Sequence, residues 1–289
     1  MGRSGAVLAV AAGATLLGLT PIGVRLSELG PQATNLWRFA FALPILAVLA
    51  AAGRPDPSPR QIGWLLFGGL LFGAEISLWA AALGLTTVAN ATLLANMTPL
   101  FAALIAWVLF REKLSHGVLI GGAAALSGAL MLAFGRDQAG QGPAGAEHGW
   151  TGDAMGLAAA AGYAGYLLIV RSLRGRVGIG AVMFWASLSG AIYALGLSVG
   201  LGERLIAHTS QGWAILIGLG VVTQVGAQGL IAWGVGRLPI VLSTVLLWLQ
   251  PLSAAALSWV MFDEHLGSLA LLGAGFILGG LFVVQRSRI

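Results

Sequence analysis

Apolar runs of roughly 20 residues follow one another along the chain with hardly any polar sequence between them. In a helix, such a run covers the ~30 Å hydrocarbon core of a bilayer. The strict alternation of a membrane barrel strand is absent. Backbone polar groups find no partners in lipid, so each run is predicted to be a helix. The pattern predicts ten spans, over residues 5–26, 33–52, 61–84, 87–109, 116–135, 151–170, 179–200, 211–234, 240–261 and 267–285. The fold class expected is an all-α membrane protein.

Composition agrees with this solvent. The chain is 58% hydrophobic and 9% charged, where soluble domains carry about 25% charge. Cysteine is absent, which excludes disulfides, thiolate metal sites and cysteine catalysis. No phosphate-binding loop, zinc-protease helix or nucleophile elbow is present, and His116, His148, His208 and His265 all fall in predicted loops or at their edges. We therefore expect no enzyme activity, no catalytic residue, no metal and no cofactor. Arg3 precedes a long apolar run without a short signal-peptide core and cleavage site, so the first span is expected to be retained. The net charge of +5 sits in short loops, as a topology signal rather than a nucleic-acid surface.

The chain also repeats itself. Residues 93–114 read LLANMTPLFAALIAWVLFREKL, and residues 245–266 read VLLWLQPLSAAALSWVMFDEHL. A shift of about 152 residues places Pro99 on Pro251, Trp107 on Trp259, Phe110 on Phe262 and Glu112 on Glu264, and continues through Gly121/Gly273 and Gly128/Gly280. With the N-terminus inside, Arg3, Arg54, Arg60, Arg111, Lys113, Arg171, Arg174, Arg176, Arg237, Arg286 and Arg288 are inner and only Arg25, Arg136 and Arg204 outer. That is the bias expected of a protein with both termini in the cytoplasm. Five spans per unit make the two units run oppositely, as an inverted-topology repeat. The organisation predicted is a first five-helix repeat over 1–135, an extracytoplasmic linker over 136–150 rich in Gly, Pro and Gln, and a second five-helix repeat over 151–289.

Candidate chemistry lies inside the spans. Pro99 and Pro251 each remove an amide donor near mid-membrane and free a carbonyl about one turn back, near Ala95 and Leu247. Asn96 and Gln250 stand beside them. A kink and a binding site are both consistent with this pattern, and hinge motion follows from either. Glu75 is the one acid and Arg38 the one base well inside a span. Counted from their helix ends they lie at similar depth, so they either pair as a buried bridge or face a substrate, Glu75 towards an amine or proton and Arg38 towards a carboxylate. Trp79, Tyr163, Tyr166 and Trp248 lie deep enough to wall a cavity for an apolar or aromatic solute. Gln224 and Gln228 share one face of the eighth span, where they serve a substrate or a neighbouring helix. Small-residue spacings such as Gly69/Gly73, Gly117/Gly121 and Gly275/Gly279 predict close helix packing.

Trp37-Arg38-Phe39 with Pro44, the block from Pro99 to Glu112 and its second copy resemble the drug/metabolite transporter superfamily, in particular its EamA-type branch. The likeness covers essentially the whole chain. Within the superfamily it is most similar to bacterial exporters of aromatic and other neutral amino acids. The resemblance implies a basket-like cavity lined by helices one to four and six to nine, with five and ten peripheral. It implies an inner-membrane carrier working by alternating access, exporting or facilitating the passage of amino acids. Its expected partners are lipid and a small-molecule substrate, with the chain a monomer. The freed carbonyls with Asn96 and Gln250 would take the ammonium, Gln228 or Asn90 the carboxylate, and the aromatics the side chain. The superfamily's four-helix members carry a coupling glutamate in their first helix, whereas here Glu75 lies in the third span. A proton-coupled multidrug or toxic-metabolite exporter is the alternative, and a non-transporting scaffold or sensor a lesser one.

Overall fold

The computed structural model describes residues 3–53, 56–111, 115–134, 146–173, 176–235, 237–238, 246–263 and 267–286 of the 289-residue chain. Every regular element among the described residues is a helix. In chain order these are α1 (Arg3–Leu17), α2 (Leu19–Leu26), α3 (Pro31–Ala52), α4 (Pro59–Leu83), α5 (Val88–Ala95), α6 (Thr98–Phe110), α7 (His116–Phe134), α8 (Ala146–Ser172), α9 (Ile179–Gly200), α10 (Ser210–Gly218), a π-helical turn sequence (Leu219–Ala227), α11 (Gln228–Val235), α12 (Leu249–Phe262) and α13 (Ser268–Arg286). Seven stretches among the described residues are long and apolar enough to cross a membrane: Ser4–Leu26, Pro31–Ala52, Pro59–Leu83, Val88–Leu109, His148–Val170, Ile179–Gly200 and Ser210–Ile231. Three shorter apolar helices accompany them, His116–Leu132, Leu249–Phe262 and Ser268–Val284. Helix α8 starts at Ala146, inside the segment read as linker; residues 135–145, Glu112 and Glu264 lie outside the described residues.

Local chemistry sets the helix ends. Ser58 and Gln61 form a reciprocal capping box before α4, with Pro59 in its first turn, where a missing amide costs nothing. Pro31 opens α3, and the next two amides donate to the Glu203 carboxylate, Ala33 at 2.7 Å. Glu28 accepts from the amides of His208 and Thr209 and from the Thr209 hydroxyl, which binds the loop before α10 to the end of α2. Helices α6 and α12 are each followed by a residue in the left-handed region, Arg111 (φ 53°) and Asp263 (φ 55°), which stand 152 positions apart.

Glycine decides how the helices meet. Between α7 and α13, Gly121 lies against the Gly280 carbonyl and Gly128 against the Gly273 carbonyl, so the two helices run antiparallel in backbone contact. The 152-residue shift exchanges these two pairs. Gly69 and Gly73 of α4 seat against Ser189, Ala186 and Gly190 of α9, as their spacing predicts. Gly275 and Gly279 do not follow that expectation: a Cβ at either would meet open space, because they lie on the face of α13 turned away from α7. Helix α8 runs against α4 from Gly152, beside Leu85 and Thr86, to Ile169, beside Gly68. Helix α3 packs antiparallel on α9, with Gly180 at Leu49 and Gly190 at Phe39.

Gly128→Leu is expected to force these backbones apart, costing about 1–3 kcal/mol as overpacking does, and to lower Tm by several degrees. Gly275→Ala is expected to leave Tm unchanged or raise it slightly, since alanine favours a helix over glycine. Thermal unfolding of both variants in detergent, followed by tryptophan fluorescence, checks the pair.

Candidate functional site

The helices enclose a cavity of about 420 Å³, within the range of small-molecule sites, about 300–1,000 Å³. Broken helices surround it. The first span changes segment at Gly18, next to Leu17 and Thr20 on the cavity wall, and Gly18 touches Ser253 of α12 too closely to carry a side chain. The fourth span breaks between Asn96 and Met97, so Pro99 falls in the first turn of α6. Pro251 likewise falls in the first turn of α12. Both prolines thus start new helical segments where an amide donor is not needed. The carbonyl of Ala95 accepts from the Thr98 hydroxyl at 3.0 Å, and that of Thr92 from the Asn96 side chain at 2.8 Å.

Two opposite charges face this space. Arg38 of α3 is 4% exposed, and its Nε donates to Gln224 Oε1 at 3.0 Å. Gln224 projects from the π-helical segment, where the wider turn re-aims side chains relative to an α-helix. Its amide in turn donates to the Ser187 hydroxyl of α9 at 3.3 Å. Glu75 of α4 lines the same cavity. Among the described residues it has no hydrogen-bond partner and forms no ion pair with Arg38, although each feels the other's charge. The bridge that their equal depth allowed is therefore not made. Thr20 and Thr92 also line the cavity, and their buried hydroxyls have no partner among the described residues.

Aromatic rings form one wall. Phe72 stacks on Tyr166 at 5.0 Å between centroids and lies 6.2 Å from Tyr163, with Phe39 behind it at 5.8 Å. Trp79 lies deeper and is buried, and Trp248 packs edge-on against Phe282 of α13. Of the residues singled out in the sequence, Trp79, Asn96, Tyr163, Gln228, Trp248, Gln250, Arg38, Glu75 and Pro99 come together around this cavity. Tyr166, Asn90 and Pro251 do not line it. Tyr166 supports Tyr163 from behind at 5.8 Å, and Asn90 is turned away, its amide donating to the Leu132 carbonyl of α7. Sequence reasoning missed Phe72, Thr20 and Thr92; the Thr20-Pro21 step inside an apolar run was the available signal for the first break. Helix α9 contributes nothing to the lining and lies behind α3 and α4, while α13 contributes Leu281.

The sequence profile of the EamA-like transporter family matches residues 3–134 and again residues 150–286. The chain belongs to the EamA-like transporter family. It is a multi-pass membrane transporter of the drug/metabolite transporter superfamily and not an enzyme. It is 27% identical over 282 residues to a probable terminal-alkyne amino-acid exporter of Streptantibioticus cattleyicolor, across 96% of this chain and 82% of that one. It is 25% identical over 201 residues to the uncharacterized transporter YetK of Bacillus subtilis, across 68% of this chain and 60% of YetK. A solved crystal structure with 21% identity shares the fold, at a TM-score of 0.66 over 99% of both chains.

In this EamA-like transporter, Gln224→Leu leaves the buried Arg38 guanidinium without its one side-chain partner among the described residues. Losing a hydrogen bond to a charged group costs about 1.5–3 kcal/mol, so Tm is expected to fall by several degrees. Gln224→Glu, which keeps an acceptor, is expected to retain more of it. Melting curves of both variants beside the unsubstituted protein check this.

Proposed function

We propose that this EamA-like transporter exports amino acids, aromatic and other neutral ones above all, by alternating access. The observation that carries the reading is a single-solute cavity walled by Phe72, Tyr163, Trp79 and Trp248 and edged by Asn96, Gln228 and Gln250. The rings supply the apolar contact a side chain needs, and the amides supply orientation. The relative named a probable terminal-alkyne amino-acid exporter points the same way.

The reading includes ten spans in two inverted five-helix halves, 1–135 and 151–289, joined by a linker within 136–150 that ends where α8 begins at Ala146. Its support is the helix course: α3 and α9, α4 and α8, and α7 and α13 pack as antiparallel pairs, and the glycine contacts of α7 and α13 exchange under the 152-residue shift. The cavity then lies between the halves, where a rocking motion opens it to each side in turn. Pro99 and Pro251 stand at the segment breaks that would flex. Arg25 ties the end of α2 to the end of α4, donating to the carbonyls of Leu83 and Thr86 and lying over the Phe262 ring. The protein would sit in the bacterial inner membrane as a monomer, with both termini cytoplasmic, which places Arg25 at the outer side.

Glu75, without a partner among the described residues, favours one other reading, a proton-coupled exporter of lipophilic cations. Uptake of radiolabelled phenylalanine, tryptophan, leucine and tetraphenylphosphonium into proteoliposomes, with and without a pH gradient, separates the two. Saturable amino-acid flux is expected, with Tyr163→Ala and Trp248→Ala lowering phenylalanine flux about tenfold, in line with the loss of a ring's burial and stacking. Cation flux that requires the pH gradient, with no amino-acid flux, would establish the other reading.

A further inference from the structure

We infer that Arg38 and Glu75 bind the two ends of one zwitterion, Arg38 its carboxylate and Glu75 its ammonium, so that the transporter takes free α-amino acids rather than amines or acids of the same shape. The inference rests on the amino-acid reading and reassigns the poles within it. Only the Nε of Arg38 is engaged, by Gln224; the two terminal nitrogens have no partner among the described residues. That is the edge of a guanidinium that receives a carboxylate through two parallel hydrogen bonds. Gln224 and Ser187 fix the plane of the fork without occupying it. Glu75, also without a partner among the described residues, offers an acceptor on the same cavity wall. The hydroxyls of Thr20 and Thr92, without partners among the described residues, add further polar contacts at the buried part of the cavity.

Charge balance selects the ligand. An amine pairs Glu75 and leaves Arg38 buried without a counter-ion; a carboxylic acid does the reverse. A zwitterion satisfies both charges at once. The assignment also replaces Asn90, which the structure turns towards Leu132, as a partner for the carboxylate.

The test is counterflow of radiolabelled phenylalanine in proteoliposomes against three unlabelled competitors: phenylalanine, phenethylamine, which lacks the carboxylate, and 3-phenylpropionate, which lacks the amine. Each truncated compound is expected to compete about 10- to 100-fold more weakly, the range for a lost charged hydrogen-bond pair. In Arg38→Gln the preference for phenylalanine over phenethylamine should collapse while that over 3-phenylpropionate persists. Glu75→Gln should show the converse. The series on the unsubstituted protein decides the matter even where a variant fails to fold. Phenylalanine counterflow with equal competition by all three compounds overturns the assignment of the poles alone. Absence of amino-acid flux, in protein shown to be folded by its melting curve, overturns the cargo reading and this inference with it.

Discussion

A guanidinium inside a bilayer must be held, and the way Arg38 is held organises the centre of this protein. The cost of an intramembrane charge is several kcal/mol unless polar groups surround it. Here the chain Arg38–Gln224–Ser187 ties α3 to the π-helical segment and to α9. Three helices from distant parts of the sequence are thereby fixed in register at one depth. The π-helical turn is what brings Gln224 to the acceptor position, and Gly220, one turn earlier, lets that segment approach the backbone of α3 at Arg38. Because the hold uses only Nε, the charge is stabilised and still available.

The broken helices answer the same constraint for the backbone. Opening a helix at mid-membrane exposes carbonyls that lipid cannot satisfy, so such breaks persist only beside protein or a polar cavity. The break at Asn96 is repaired locally, by Thr98 on Ala95 and by the Asn96 side chain on Thr92. Ser253 does the same near Pro251, its hydroxyl reaching the carbonyls of Leu249 and Gln250. The Ala95 carbonyl, read from sequence as free for a substrate, is thus partly occupied by a side chain of its own segment. On the proposed reading, this leaves more of the recognition of a charged solute to Arg38 and Glu75.

Much of this was legible in the chain, for physical reasons that also mark where legibility ended. The hydrophobic pattern located the helices because lipid admits no other backbone solution for a long apolar run. The aromatic and amide residues of the cavity, Phe72 apart, were singled out because deep, large or polar side chains in a bilayer have few roles. Which face each residue takes was not legible. Asn90 and Asn96 are six positions apart in one span, about 120° apart around a helix, and one binds α7 while the other lines the cavity. Gly275 and Gly279 have the spacing of a packed stripe, but α13 presents Gly273 and Gly280 to α7 instead. Whether Arg38 and Glu75 pair depended on a third residue, Gln224, and a change of helical pitch that no periodicity announces.

The charge arithmetic of the cavity bears on energetics as well as selectivity. One cation and one anion on the wall sum to zero, and a bound zwitterion leaves the sum at zero. In the proposed alternating-access cycle, exchanging which side the cavity faces then moves no net charge through a low-dielectric region, where Coulomb and solvation costs are largest. A lipophilic cation in the same space leaves a net positive charge among apolar rings, and its passage would feel the membrane potential at about 2.3 kcal/mol per 100 mV for a full crossing. Unless Glu75 exchanges a proton, such a cargo would be trapped or driven by voltage, whereas a neutral amino acid would follow its own gradient. On the proposed reading, the cavity passes a zwitterion without moving net charge, whereas a cation requires an added proton step.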